Sequence, residues 1–398
     1  MNVQEETYLK GQILTRGVIF SKSALAYAKN NNAKRQNLVY NAPLGYTLER
    51  PQELLIRHAD GYETVVSCVA PCKKNNVYVD VIDNRLVASI SGRIIENVSL
   101  SFVEEPDYYH KRLPDGTELK TLVSACGYDE LNILPWKGCA ISKGCLFCGV
   151  NVVSVENAND ITAARISCPG GWDSVRQGYI DNLCAAIRIA AQSECYKQHM
   201  HVIIISGDLK NDALDLQTDI YAFISSRIKE IVDSKATEGI VAVLMPPNDS
   251  SKLRALKNAG ITNVVFNLEV GDKELFKKYC PGKEDIGYDH IMYSLYQATE
   301  IWGRGHSWSN FVLGLEPIDG LLRINDELAK DGVISSANIL HLDVGNRLDC
   351  DVPDYDTVIN YFYGLSCILK EYDYKPYYCS KALRTSLSNE AYDGRIVL

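Results

Sequence analysis

Three of the 13 cysteines in this 398-residue chain lie close together in a glycine-rich stretch. Cys139, Cys145 and Cys148 have the spacing C-x5-C-x2-C, and Gly138 and Gly144 precede the first two. The odd number of cysteines excludes complete disulfide pairing within one chain. Because clustered cysteines in a reducing compartment bind metal more often than they form disulfides, this stretch is the first candidate for a chemical site.

Three interpretations of this cysteine cluster remain open. Thiolates hold [4Fe–4S] clusters, and three of them leave one iron free to bind another ligand. A structural zinc needs four ligands, commonly arranged as two close pairs. Cys126 or Cys168 is available as a fourth thiolate, although neither belongs to such a pair. The third interpretation is a group of structural cysteines without a metal.

Strand-like and helix-like segments alternate after residue 126 and must position this cluster. Short apolar runs such as Val202–Ile205 and Ile240–Met245 predict strands, whereas apolar residues at every fourth position from Val175 to Ile187 predict a helix. Six strands alternating with helices predict a parallel sheet with right-handed crossovers. Since a full (β/α) barrel needs eight units, we expect a partial (β/α)6 barrel whose ligands lie at the carboxyl ends of the strands.

Residues 1–125 have a different pattern, in which β-branched and aromatic residues mix with polar ones between turn signals. The strands predicted there are Thr64–Ala70, Asn76–Ile82 and Asn97–Val103. We therefore expect an α/β protein with a β-rich N-terminal domain over residues 1–125. The partial barrel follows over residues 126–350, and a C-terminal helix and tail occupy residues 351–398.

The cysteine motif resembles that of the radical S-adenosylmethionine (SAM) enzyme superfamily. The commonest form in that superfamily is C-x3-C-x2-C with an aromatic residue directly before the last cysteine, and Phe147 occupies this place. The first gap is longer here, as it is in several branches of the superfamily, so no subfamily is assigned. The resemblance implies a radical SAM barrel in which Cys139, Cys145 and Cys148 hold a [4Fe–4S] cluster.

Three strand ends also resemble SAM-binding segments of that superfamily. Ser206–Asp208 stands where a Gly-Gly-Glu-like turn holds the SAM ammonium group, and a carboxylate there makes a charge-assisted hydrogen bond. Asn267 and Glu269, two apart on one strand face, resemble the polar strand end that contacts the ribose or amino acid part. The segment with Asn310 and Gly314 is similar to the one that packs on adenine. The residues expected to contact SAM are Phe147, Ser206, Gly207, Asp208, Asn267, Glu269, Asn310 and Gly314.

The resemblance also implies a reaction. The open iron chelates SAM, and an electron enters the cluster from a flavodoxin or ferredoxin-type donor. Reductive cleavage yields methionine and a 5′-deoxyadenosyl radical, which abstracts hydrogen from the substrate. An ordinary turn or helix cap at Asp208 and a surface strand ending at Asn267 remain the alternatives for the SAM-binding segments.

Charge narrows the class of substrate. The net charge is −9 and no run of Lys or Arg stands out, which disfavours a nucleic acid as substrate. We expect a small metabolite or natural-product intermediate, with an RNA-modifying radical enzyme and a non-catalytic Fe–S or zinc protein as alternatives. Arg347, at the sixth strand end, is expected to anchor a carboxylate or phosphate, and Cys350 is a candidate hydrogen-atom donor. Residues 1–125 and Leu342–Asp351 are expected to cover the barrel mouth.

The sequence also predicts no membrane-spanning helix, no signal peptide and no second Fe–S cluster. No apolar run approaches the roughly 18 residues of a spanning helix, and the polar N-terminus has no signal-peptide core. We therefore expect a cytoplasmic protein that does not enter a membrane. Cys350, Cys367 and Cys379 contain no close pair, so a second Fe–S cluster is not expected.

Overall fold

The computed structural model describes residues 2–35, 50–71, 76–151, 161–196, 200–232, 235–236, 239–342, 345–376 and 383–397. The strands, numbered in chain order, are β1 Asn2–Val3, β2 Val18–Phe20, β3 Glu53–His58, β4 Glu63–Ser67, β5 Val77–Ile82, β6 Arg85–Ile90, β7 Arg93–Ile94, β8 Val98–Phe102, β9 Val123–Cys126, β10 Glu130–Ile133, β11 His201–Ile205, β12 Ile240–Val243, β13 Ile261–Val265, β14 Ser307–Leu313, β15 Val333–Ile339 and β16 Ile396–Val397. The helices are α1 Glu5–Arg16, α2 Lys22–Asn30, α3 Ala163–Ile166, α4 Arg176–Ala190, α5 Leu214–Val232, α6 Lys252–Asn258, α7 Lys273–Tyr279, α8 Pro281–Glu284, α9 Tyr288–Trp302, α10 Ile318–Lys330, α11 Tyr355–Glu371 and α12 Ser388–Tyr392. Within these ranges, no helix combines the length and the apolar character that crossing a membrane requires.

A curled sheet of seven strands forms the barrel part of the chain, in the order β15-β14-β13-β12-β11-β10-β9. The strands from β10 to β15 are parallel, whereas β9 pairs with β10 in the antiparallel sense. Strands β11 and β12 are nearly continuous apolar runs because both faces of such a sheet are covered, whereas β14 and β15 also contain serine and asparagine. The predicted fold class, a partial (β/α)6 barrel with a β-rich N-terminal domain, is confirmed.

The N-terminal part contains a second sheet in the order β2-β5-β6-β8-β3-β4, with β7 paired to β6. It also contains α1 and α2, which sequence periodicity did not predict. Helix α1 buries polar residues such as Glu6 and Lys10 as well as apolar ones, so its sequence lacks the stripe that identifies an amphipathic helix. Buried apolar residues of both parts, for example Leu54 and Val202, belong to one continuous core.

Buried ion pairs join the N-terminal part to the barrel. Lys34 Nζ lies 2.5 Å from one carboxylate oxygen of Glu53, and Arg384 Nη1 lies 2.5 Å from the other. Burial alone raises the pKa of Glu53, but the charges of Lys34 and Arg384 lower it below its ordinary value. Lys34 Nζ also donates to the carbonyl oxygen of Ala125, in β9, and to that of Gly127, in the turn between β9 and β10. This junction therefore lies at the amino end of β10, whereas the sequence predicts that residues 1–125 cover the opposite end.

The C-terminal residues attach to both parts. Strand β16 pairs with β1, and Ser67 N donates to the carbonyl oxygen of Arg384 at 3.0 Å. Ile339 N, at the end of β15, donates to the carbonyl oxygen of Thr385 at 2.9 Å. Residues 383–397 therefore connect the N-terminal sheet to the last barrel strand.

We expect Glu53→Gln to lower the free energy of unfolding by about 3–5 kcal/mol, because it leaves two buried cations without their shared carboxylate. Urea denaturation followed by circular dichroism measures this loss. The control is Asp219→Asn, which removes the partner of Lys252 in a solvent-exposed ion pair and should cost at most about 1 kcal/mol. Equal effects of the two variants would contradict the importance assigned to the buried junction.

Candidate functional site

The cysteine loop follows β10 and is attached to the end of β11 through Trp136. The buried indole donates from Nε1 to the carbonyl oxygen of Gly207 at 2.6 Å, and Ser206 Oγ donates to the carbonyl oxygen of Trp136 at 2.9 Å. Ala140 N donates to the carbonyl oxygen of Asp208 at 2.7 Å. The loop that carries the cysteines is thus bonded directly to the turn predicted to bind SAM.

Asn151 and Gly207 fix the backbone of Cys139. Asn151 Oδ1 accepts from Cys139 N at 2.7 Å, and Asn151 Nδ2 donates to the carbonyl oxygen of Cys139 at 2.8 Å. A Cβ placed on Gly207 would lie 2.7 Å from Cys139 Cβ and 2.5 Å from the carbonyl oxygen of Gly138. Glycine at position 207 therefore permits an approach that any side chain would prevent.

Cys145 lies against the turn between α7 and α8. Leu146 N donates to the carbonyl oxygen of Tyr279 at 2.8 Å. A Cβ on Gly282 would lie 2.5 Å from a carbonyl oxygen of the cysteine loop, so α8 packs directly on that loop. The thiol of the buried Cys280 is within hydrogen-bond contact of the Cys145 thiol, and this contact together with burial raises the pKa of Cys145.

The three motif cysteines differ in exposure, and burial contributes to the raised pKa of each of them. Cys139 and Cys145 are partly buried, and Cys148 is more exposed. Burial raises the pKa of Cys139 to about 12 and the pKa of Cys148 to about 11, and the charge of Cys145 raises both. Cys145 therefore lies close enough to Cys139 and to Cys148 for its charge to affect both thiols.

This donor set fits an iron–sulfur cluster. Three thiols on one loop, next to two neighbouring strand ends, are the ligand type that such clusters require. Across the described ranges, no three His, Cys, Asp or Glu side chains are arranged to hold a metal ion. Each thiolate of a cubane binds a different iron, so the three sulfurs need not meet around one point. Thiols with raised pKa values are protonated at neutral pH, and metal binding displaces their protons.

Asp208 lies between the ends of β11 and β12. Its Oδ1 accepts from Met245 N at 2.9 Å and from Gln217 Nε2 at 2.8 Å. Burial raises the pKa of Asp208, while the charge of Lys283 acts in the opposite sense. Two donors therefore orient this carboxylate beside the cysteine loop, at the carboxyl end of the sheet.

Asn267 and Glu269 follow β13 and contact a buried lysine. Lys283 Nζ donates to the carbonyl oxygen of Asn267 at 2.9 Å and to Glu269 Oε1 at 2.8 Å. Burial alone lowers the pKa of Lys283, but the charge of Glu269, followed by those of Cys145 and Cys280, raises it above its ordinary value. The regular strand expected here ends at Val265, and Glu269 adopts a φ of +69°, which non-glycine residues rarely do.

Asn310 and Gly314 lie on and just after β14. Asn310 N donates to Asn267 Oδ1 at 3.1 Å, and its carbonyl oxygen accepts from Glu269 N at 3.0 Å. Gly314 has a φ of +119°, and a Cβ there would lie 2.9 Å from Pro353 Cδ. Asn310 therefore positions the end of β13, whereas the neighbour that requires glycine at 314 is a proline of the chain itself.

The remaining predicted site residues lie around the cysteine loop. The exposed Arg347 donates from Nη2 to the carbonyl oxygens of Lys143 and Cys145, at 2.6 and 3.4 Å. Phe147 packs against the main core, and Cys350 is partly buried, which raises its pKa. The roles of Arg347 as an anion anchor and of Cys350 as a hydrogen-atom donor stay predictions. Of the cysteines considered for a second cluster, Cys379 lies outside the described residues.

Sequence reasoning assigned no role to four residues that build this site: Trp136, Asn151, Cys280 and Lys283. The run Cys280-Pro281-Gly282-Lys283 carries a visible signal, since it combines a thiol and a lysine at a break between two helices. Nothing along the chain connects that run to Cys145 or Glu269, because the contacts form only when α8 packs on the cysteine loop.

Comparison with curated proteins gives one short match. No family model matches the chain. The bacteriochlorophyllide c C-7(1)-hydroxylase of Chlorobaculum limnaeum is 28% identical over 136 residues, which are 33% of this chain and 34% of that protein. The match therefore spans about a third of the length of the curated relative.

Solved structures resemble the chain over longer stretches. A radical SAM methyltransferase from Sphaerobacter thermophilus has a TM-score of 0.42 and 13% identity, over 77% of this chain and 76% of that one. The FeFe-hydrogenase maturase HydG from Carboxydothermus hydrogenoformans has a TM-score of 0.38 and 12% identity, over 63% and 53%. The fold is therefore assigned from the strand order of the chain itself and not from these similarities.

We expect Gly207→Ala to abolish iron binding while the protein still folds, because the added methyl group displaces the backbone of Cys139. Iron and sulfide contents after anaerobic reconstitution measure the effect. The control is Gly178→Ala in α4, where an added Cβ meets no atom within 4 Å. This variant should bind iron normally and gain up to about 1 kcal/mol of stability. Full iron content in Gly207→Ala would contradict the assigned site.

Proposed function

We propose that this chain, whose resemblance to the radical SAM superfamily is confirmed, is a radical SAM enzyme that acts on a small molecule. The proposal depends on one observation: the three cysteines of the C-x5-C-x2-C motif gather on a loop that is bonded to the end of β11. Cofactors of that superfamily are a [4Fe–4S] cluster and SAM, and the thiols and carboxylates described above suit them.

The residues of the chain bind and orient these cofactors. When bound, the cluster and SAM would supply the radical chemistry that removes a hydrogen atom from the substrate. Cys139, Cys145 and Cys148 would hold the cluster. The Asp208 carboxylate accepts hydrogen bonds from an ammonium group, and a charged acceptor strengthens such bonds. Asn267 Oδ1 accepts a hydrogen bond from Asn310 N. Asn267 would therefore contribute to the SAM site by positioning the backbone there.

The charge of the chain supports a small-molecule substrate. A net charge of −9 opposes binding to a phosphate backbone, which depends on clustered Lys and Arg. The proposal includes a flavodoxin or ferredoxin-type electron donor and a cytoplasmic location. The bonds that Arg347 makes to the cysteine loop support a place for it beside the cofactor, where its guanidinium can also meet a carboxylate or phosphate.

We expect Cys145→Ala to abolish both the brown chromophore and the release of 5′-deoxyadenosine, because each thiolate is one of only three anchors. Absorption spectra of the reconstituted protein and chromatography after addition of dithionite and SAM provide the two measurements. The control is Cys168→Ala, which changes an exposed cysteine after α3 and should leave both unchanged.

The same assays distinguish the alternatives. Loss of metal from Cys168→Ala would favour a zinc site with that thiolate as its fourth ligand. Iron binding without any release of 5′-deoxyadenosine would favour a non-catalytic Fe–S protein. Modification of RNA that depends on SAM would favour the RNA-modifying enzyme. Full turnover in Cys145→Ala would show that the cluster is held elsewhere.

We expect Asp208→Asn to weaken SAM binding by about 1.5–3 kcal/mol, the value of a hydrogen bond to a charged group. Asparagine keeps one oxygen for Met245 N and Gln217 Nε2, but it removes the charge and replaces the other carboxylate oxygen with an amide donor. The iron content should not change. Anaerobic equilibrium dialysis with the reconstituted protein measures the dissociation constant. Asp212→Asn, at an exposed position, is the control, and equal SAM affinity in both variants would remove Asp208 from the binding site.

A further inference from the structure

Lys283 is buried beside four groups that are negatively charged when ionised. Only 5% of the residue is exposed, and its Nζ lies 2.8 Å from Glu269 Oε1. The thiols of Cys145 and Cys280 and the carboxylate of Asp208 are close enough to interact with its charge. A buried cation therefore lies next to a predicted ligand of the cluster.

Two features fix this cation relative to the cysteine loop. Gly282, the preceding residue, has no room for a side chain, since a Cβ would lie 2.5 Å from the carbonyl oxygen of Ser142 and 3.1 Å from Gly144 N. The carbonyl oxygen of Asn267 accepts from Lys283 Nζ at 2.9 Å. The backbone and the ammonium group of Lys283 are thus both held in place, so the distance to the loop is part of the fold.

A cation in this place favours reduction of a cluster. Three thiolates and a cubane together carry a net negative charge, which increases by one when the cluster accepts an electron. Charge and hydrogen bonding around the sulfurs set the reduction potential. The interaction of a fixed positive charge with the added electron is strengthened where the surroundings exclude water. A buried ammonium group therefore stabilises the reduced cluster more than the oxidised one.

We propose that Lys283 raises the reduction potential of the cluster held by Cys139, Cys145 and Cys148, by balancing the charge that arrives with the electron. The inference rests on the proposed function, because it requires a bound cluster. Glu269 acts in the opposite sense, since its carboxylate lies at the same place and cancels part of the positive charge. A lysine that only supports the local fold would leave the potential unchanged, so the two roles differ in a measurable quantity.

The test is an anaerobic redox titration of the reconstituted protein without SAM, monitored by electron paramagnetic resonance. We expect a more negative midpoint potential in Lys283→Met, because the cation is lost. Lys283→Arg keeps the charge and should remain close to the wild type. Glu269→Gln removes a negative charge and should give a less negative potential.

Two further variants keep the test decisive. Lys277→Met changes an exposed lysine that pairs with Glu274, and it should leave the potential unchanged. If Lys283→Met alone does not fold or bind a cluster, the double variant Lys283→Met/Glu269→Gln carries the comparison, because it removes both members of the Lys283–Glu269 ion pair together. Its potential must then be more negative than that of Glu269→Gln.

The outcomes separate this inference from the proposed function. Equal potentials in wild type and Lys283→Met, with equal iron and sulfide contents, would overturn the inference and leave the proposed function intact. In the double-variant comparison, a potential equal to that of Glu269→Gln would do the same. A wild-type chain that binds no Fe–S cluster would overturn the proposed function, and this inference with it.

Discussion

The contact between Gly207 and Cys139 is the constraint on which the site depends. Here the end of one strand touches the loop that follows its neighbour, with no space for a single methyl group between them. The bond from Trp136 to the carbonyl oxygen of Gly207 holds the same two segments together. Because both segments follow parallel strands, the sheet brings a thiol and a predicted SAM-binding turn to one edge.

Buried ion pairs stand at two different places in this structure, and their consequences differ. The network of Lys34, Glu53 and Arg384 joins the N-terminal part to the turn before β10, far from the cysteine loop. The pair of Lys283 and Glu269 lies at the opposite end of the sheet, beside Cys145. Both are buried, so removing one partner is costly in each. Only the second pair lies beside a cysteine that is proposed to hold the cluster.

Much of the architecture follows from local patterns that a sequence displays directly. Alternation of apolar strands with four-residue helical periodicity predicts the parallel sheet, and the strand expected over Val202–Ile205 lies within β11, His201–Ile205. Helix α1 was missed because tertiary contacts bury its polar face through partners such as Glu390, which pairs with Lys10. The antiparallel strand β9 was missed because four residues give little periodicity.

The three thiols and their spacing can be recognised from the sequence alone, because the C-x5-C-x2-C motif is a local feature of the chain. The sequence also predicted that the polar residues Asp208, Asn267 and Glu269 follow barrel strands, although β13 ends at Val265, before the expected limit. The ion pair between Lys283 and Glu269 and the packing of α8 on the cysteine loop are visible only in the tertiary structure. These contacts join residues that are distant along the chain, and they form because helix packing and the parallel sheet bring separate strand ends to one place.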